Sequence, residues 1–295
     1  VYADLMASAI AEISPETRRL IIVPDGFLHL LPFALLREPE SGRHLADRFE
    51  IHIVPSAMVW LDWKRTTPPP RTGSQTLVLA NPRISPGGES SFARGEAPPI
   101  YELGELPFAE REGRRVLRHV GGQGRLEAGE RASEQFLKRV DLGTFNIAHF
   151  AAHAISDPTH PGRSAILLAP GADDEDGLLR PPEIARLQGL DGKFVVLAAC
   201  DTAVGNVLRG EGALSLGRAF FEAGARSVLA SLWRLDDRLA TEFFDDFYGR
   251  LRLGVSVGRA FTETQREWSD AGRPASVWGG LVLLGDGDFV PLPGG

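Results

Sequence analysis

The chain has 295 residues, of which 43% are hydrophobic and 24% charged, with a formal net charge of −7. That is enough for one large or two modest domains, and the negative balance excludes a general nucleic-acid surface. The single cysteine, Cys200, rules out an internal disulfide, and no run of about 18 apolar residues is present to span a membrane.

A cytoplasmic protein with no membrane or nucleic-acid partner is therefore expected. All but three of the 32 basic residues are arginine, a bias of composition rather than a phosphate-binding pattern. The opening "VYADLMASAI" has neither an initiating Met nor the basic stretch of a signal peptide, which predicts a fragment of a longer protein.

In chain order, "RRLIIVPDGFLHLLPFALL" reads as a strand, a Pro-Asp-Gly turn and a returning strand or short helix. "FEIHIVPSAMVWLDWK" reads as a strand and a helix. Its neighbourhood holds His29, His44 and His52, read as ordinary turn or strand histidines. Three consecutive prolines in "RTTPPPRTGS" can enter neither a helix interior nor a central strand, and place a boundary. Residues 1–70 are taken as an N-terminal subdomain and 71–295 as the main domain.

Beyond the boundary, strands and helices alternate. "QTLVLANP" is a buried strand, "SPGGESSFARGEAPP" a loop, and "FAEREGRRVLRHV" a helix with one apolar stripe. "ERASEQFLKRV" is a helix leading into the strand "FNIAHFAAH". "SAILLAPGADDEDGLLRPPEI" is a hairpin with a solvated acidic tip. "KFVVLAAC" is a strand, "GALSLGRAFFEAG" a helix ended by Gly224, and "RSVLASLW" a strand. A helix from Asp236 or Asp237 puts Ala240, Phe243, Phe244, Phe247, Tyr248 and Leu251 on one core-facing stripe. A last helix carries Val257, Ala260, Phe261 and Trp268, and "GGLVLLGD" closes as a strand. Alternation with continuously apolar strands predicts an α/β fold with a mainly parallel central sheet flanked by helices.

Ligand sites in such sheets lie beyond the carboxyl ends of the strands, and two chemically capable residues sit there. His153 follows "FNIAHFAA" and Cys200 follows "KFVVLAA". A thiolate is the reactive form of cysteine, and a nearby imidazole both promotes it and can protonate a leaving amine. His149, inside its strand, reads as a core histidine. No P-loop, G-x-S-x-G elbow, H-E-x-x-H or cysteine cluster is present, and no cofactor or metal is expected.

"HFAAHAISDPTHPGRSAILLAP", "VVLAACDTAVG", "RGEGALSLGRAFFEAGARSVLASLWRLDD" and "FYGRLRLGVSVGRA" resemble the CHAT domain, a caspase-like module found downstream of tetratricopeptide (TPR) repeats. "LIIVPDGFLHLLPFALL" and "VWGGLVLLGD" extend the likeness over nearly the whole chain. The resemblance implies a caspase-like three-layer sandwich and the cysteine-protease clan of caspases, separases and gingipains. It makes Cys200 the nucleophile, His153 the general acid/base, and the backbone N–H groups of Ala154 and Cys200 the oxyanion hole. The family usually has glycine after the histidine; Ala154 retains the N–H this role needs.

The same likeness places a substrate cleft at Asn81, Ala198, Asp201, Glu211, Ser231 and Trp233. Glu211 either touches substrate or caps the following helix, and Trp233 either lines the cleft or closes the core. None of the pocket-matching positions Asn81, Ala198 and Ser231 to Arg234 is acidic, which favours an uncharged residue before the scissile bond. Asp157, Asp201, Glu211 or Asp237 would reverse that preference by entering the pocket. A regulated endopeptidase is expected, cutting a protein partner in a prokaryotic defence or signalling pathway under an upstream TPR or sensor region. The alternative is a catalytically silent interaction module of the same fold.

Overall fold

The computed structural model describes residues 1–66, 75–84, 103–121, 124–155, 160–171, 175–198, 200–201 and 211–292, with the backbone alone for 200–201 and 211–214. The triple proline, the "SPGGESSFARGEAPP" loop and Asp157 lie outside these residues. In chain order the strands are β1 (Arg19–Ile22), β2 (Glu50–Ile53), β3 (Gln75–Pro82), β4 (Gly124–Gly129), β5 (Phe145–Ala151) and β6 (His153–Ile155). They continue as β7 (Ala165–Leu167), β8 (Leu178–Leu179), β9 (Phe194–Leu197), β10 (Cys200–Asp201), β11 (Ser227–Ser231) and β12 (Leu281–Gly285). The helices are α1 (Tyr2–Leu5), α2 (Ala7–Glu12), α3 (Leu45–Arg48), α4 (Ala57–Arg65), α5 (Ala109–His119) and α6 (Glu134–Arg139). The rest are α7 (Pro181–Ile184), α8 (Glu211–Glu222), α9 (Asp237–Leu251), α10 (Val257–Asp270) and α11 (Ala275–Trp278).

Eight strands form the main sheet in the order β1-β2-β12-β11-β9-β5-β3-β4, and β10-β6-β7-β8 form a second, small sheet. All pairings in the main sheet are parallel except β11 with β12. The helical crossovers that parallel pairing demands cover both faces, so strand residues alternate between two cores rather than between core and water. Leu77, Leu79, Ala148, Phe150, Val195 and Leu197 face one core with Leu137, Ile184, Leu216 and Phe220. Val78, Ala80, Ile147, Phe194 and Val196 face the other with Val116, Phe243, Phe247, Tyr248 and Phe261. The expected α/β sandwich of helix, sheet and helix layers is what forms.

Local signals explain the main boundaries. Asp236 caps α9 by accepting from Leu239 N at 2.9 Å, and Ser256 caps α10 through Arg259 N at 3.3 Å. The whole predicted aromatic stripe of α9 is buried, each large side chain contributing about 1.5–3 kcal/mol. Gly224 ends α8 at φ 99, where a Cβ would lie 2.6 Å from Asp191.

Three features go beyond the sequence reading. Strand β4 is too polar to show an apolar run, because it is an edge strand carrying Arg125 and Glu127. The segment after β1 folds as two short 3₁₀ turns, Gly26–Leu30 and Phe33–Leu35. Finally, the first 66 residues contribute β1 and β2 to the same main sheet, with Ile53 beside Leu284 of β12. In the acidic hairpin, Glu175 and Asp176 are ion-paired to Lys138 and Arg180.

Candidate active site

Strands β5 and β9 run side by side in the main sheet, with Ile147 opposite Phe194 and Phe150 opposite Leu197. Both chains then leave that sheet and meet again as β6 and β10, with His153 opposite Cys200 and Ala154 opposite Asp201. The offset of 47 residues between partners is the same in both sheets, so the two chains stay in step through the exit. Neighbouring strands lie about 4.8 Å apart, which puts the backbone of Cys200 beside that of His153. The exit occurs next to the point where the strand order reverses, β3 leading outward to β4 and then the chain crossing to β5. Open α/β sheets form their crevice at such a reversal.

His153 is 3% exposed. Its Nε2 lies 3.1 Å from the carbonyl oxygen of Gly104, and because a carbonyl only accepts, Nε2 is the donor. Nδ1 is buried and has no hydrogen-bond partner among the described residues. A neutral ring with its proton on Nε2 therefore presents a free lone pair at Nδ1. Burial is the largest influence on this imidazole and lowers its pKa; the Gly104 carbonyl opposes that effect and the Arg234 charge adds to it.

The remaining predicted positions are placed by their own elements. Asn81 lies near the end of β3 with φ 45, and its Oδ1 accepts from Leu106 N at 3.0 Å. Ala198 is buried immediately after β9. Ser231 ends β11, buried, in register with Leu281. Trp233 is half-buried, its Nε1 donating to Ser276 O at 2.7 Å, and its ring lies where a Cβ on Gly280 would be 2.6 Å away. Ala154 is buried in β6, Asp201 belongs to β10 and Glu211 is the first residue of α8. Asp237 is tied to the start of α5, accepting from Phe108 N at 2.8 Å.

His149 sits in the core on the α5/α9 side. Its Nε2 donates to Glu112 Oε1 at 2.7 Å and its Nδ1 lies 3.1 Å from Tyr248 Oη. Sequence reasoning found neither Glu112 nor Gly104, since their partners are 37 and 49 positions away. The one available signal was Glu112 itself, a carboxylate close to the apolar stripe of a helix. Among the described residues, Glu134, Glu175 and Glu183 bring enough carboxylates together to suggest a metal ion. Lys138 Nζ already sits among them at 2.8, 2.5 and 2.8 Å, so the cation of this cluster is the lysine.

The family model of the CHAT domain matches residues 2–286. The chain belongs to the CHAT domain family. This CHAT domain is 28% identical over 311 residues to tetratricopeptide repeat protein 28 of Homo sapiens, and 26% over 307 residues to that of Mus musculus. Both alignments cover 91% of the chain but 12% of the relative, so it matches a small part of those proteins.

Among solved structures, the separase of the Saccharomyces cerevisiae separase–securin complex superposes with a TM-score of 0.51 at 16% identity, over 87% of this chain and 14% of that one. Gingipain R, described as an Arg specific cysteine proteinase, superposes at 0.58 and 10% identity, over 96% and 66%. The Porphyromonas gingivalis RgpB mature domain in complex with its pro-domain gives 0.56 at 9%, over 96% and 67%. These likenesses establish the caspase-like fold of the CHAT domain.

Proposed function

We propose that this CHAT domain is a cysteine endopeptidase in which Cys200 and His153 form the catalytic dyad. The observation that carries the reading is the in-register pairing of Cys200 with His153 just past two buried strands, where the imidazole Nδ1 has no partner among the described residues. On attack, a bond forms between the cysteine sulfur and the scissile carbonyl carbon while the thiol proton passes to His153 Nδ1. The oxyanion takes hydrogen bonds from the backbone N–H groups of Ala154 and Cys200. Collapse breaks the C–N bond, and His153 returns the proton to the leaving amine. His153 then accepts a proton from water as that water attacks the thioester, and the thiol is regenerated with release of the acid.

Asn81, Ala198, Asp201, Glu211, Ser231 and Trp233 form the walls of the proposed cleft, which takes an uncharged residue before the scissile bond. The substrate is a protein partner, held by main-chain pairing beside residues 231–234. An upstream TPR or sensor region controls access, a role suggested by the names of the curated relatives. The domain acts in the cytoplasm in a defence or signalling pathway and uses no cofactor. The near-complete burial of His153 favours a second reading, a silent interaction module.

Alkylation separates the two. Iodoacetamide or a peptide chloromethylketone is expected to label Cys200 in the folded chain, and His153→Ala to slow labelling about 100-fold. A mixed peptide library should be cut by the wild type and left intact by Cys200→Ala. Labelling only after denaturation would establish the silent module.

A further inference from the structure

Among the described residues, the His153 ring is hydrogen-bonded to one atom, the Gly104 oxygen, which comes from neither β6 nor β10. Gly104 lies in the connection Leu103–Phe108 that leads into α5, outside every helix and strand ladder, at φ 69. Its position is set by neighbours on each side. Leu103 is buried in a small core with Ile155, Ala165, Leu167 and Leu178, which fastens the connection to the same sheet that holds His153. Leu106 N donates to Asn81 Oδ1 at 3.0 Å, and Phe108 N donates to Asp237 Oδ2 at 2.8 Å.

Neither polar partner is accounted for by its own element. Asn81 is the only non-glycine residue with positive φ among the described residues, at the place where the β3–β4 register shifts between Ala80 and Pro82. A left-handed backbone costs about 1 kcal/mol or more for most side chains, and asparagine is among the few that tolerate it. Asp237 stands beside Asp236, which already caps α9, so the second carboxylate is not needed for the helix start. It is half-buried, and burial raises its pKa above the ordinary aspartate value against the pull of the Phe108 N–H.

We propose that Asn81 and Asp237 are positioning residues, bracing 104–108 so that the Gly104 carbonyl fixes the His153 proton on Nε2 and leaves the lone pair of Nδ1 available. This rests on the reading of His153 as the acid/base. It assigns the oxygen of Asn81 an internal duty in addition to any contact with substrate.

The test measures the tautomer of His153 by nitrogen NMR of the full chain, together with kcat and KM for a peptide the wild type cuts. Asn81→Gly keeps the left-handed backbone and loses the acceptor; Asp237→Ala loses the carboxylate. Each is expected to turn the single Nε2–H form into a mixture of tautomers and to lower kcat about tenfold; for Asp237→Ala, which lies outside the cleft walls, KM should stay within about twofold. Asn81→Asp and Asp237→Asn keep an acceptor and should restore the single form. An unchanged His153 spectrum in both loss variants, or no recovery in the conservative ones at equal Tm, overturns the brace. If the tautomer shifts as expected but no chain cuts any peptide, the brace stands and the peptidase reading falls.

Discussion

A histidine that gives up water without gaining an anion stays neutral at physiological pH. This is the state of His153: its contact is a carbonyl, and burial and Arg234 both act against the charged form. A neutral imidazole can accept the thiol proton as attack occurs, so the proposed reaction needs no standing ion pair before substrate arrives. The sign of the pH dependence follows. Activity is lost when Nδ1 is protonated, and the lowered pKa puts that loss below 6.5, the ordinary histidine value. We expect the acid limb of kcat/KM, measured on a fluorogenic peptide, to have its midpoint below pH 6.5. A midpoint above that value would contradict the environment described for His153. At this scale the placement of His153 and Cys200 after two strands was legible because each follows an apolar run, whereas Gly104 lies in a short polar connection with no pattern of its own.

At the scale of elements, the small sheet that seats His153 and Cys200 is held at its far end by charge. β8 is joined to α6 by Gly177 N donating to Glu134 Oε2 at 2.8 Å, and Lys138 of α6 pairs with Glu134, Glu175 and Glu183. Burial and the neighbouring Glu183 push Glu134 up to about 7 in spite of Lys138. Glu183, stabilised by Lys138 and the Arg180 N–H, is instead held below the ordinary glutamate value, although burial opposes this.

The two groups act on stability with opposite signs. Glu183 stabilises above its unfolded value, an effect lost as pH falls through its lower folded value; Glu134 destabilises increasingly as pH rises from its unfolded value toward 7. Lys138→Met removes the cation and leaves the carboxylates facing one another. We expect a loss of about 2 kcal/mol at pH 8 by urea unfolding, below the cost of breaking a fully buried pair because Lys138 is partly exposed. The loss should shrink at pH 5, where Glu134 is protonated, and an equal loss at both values would show that the cluster is not electrostatically coupled. The helices and apolar strands around this cluster were readable from periodicity. The pairing of Lys138 with Glu134 follows from their i,i+4 spacing on α6, but its meeting with Glu175 and Glu183 was not legible, because these join only after the hairpin and α7 have packed.

At the scale of the whole molecule, the first 66 residues are part of one sheet. Ile53 pairs with Leu284, and Phe33, Leu45 and Phe49 share a core cluster with Leu216 and Phe220. A chain cut to residues 71–295 would present the edge of β12 and that apolar surface to water. We expect it to lose cooperative unfolding by circular dichroism and to aggregate, while adding back residues 1–70 by fusion restores both. A soluble, cooperatively unfolding 71–295 would show that the leading strands are dispensable. The strands on either side of the boundary expected at the triple proline share one sheet, since β2 pairs with β12.

The sequence by itself determined the apolar core strands and the long amphipathic helices, that the sheet is mainly parallel, and that Cys200 and His153 each follow one of its strands. Those properties depend on apolar period and turn chemistry within about 20 residues, which local physics decides. Only the tertiary structure decided that β12 turns antiparallel to β11, that β1 and β2 close its far edge, and that Cys200 and His153 meet in register in a second sheet. It alone brought Gly104 to Nε2, with Asn81 and Asp237 behind it. These are contacts between distant segments through backbone groups that every residue carries, so no side-chain pattern announces them.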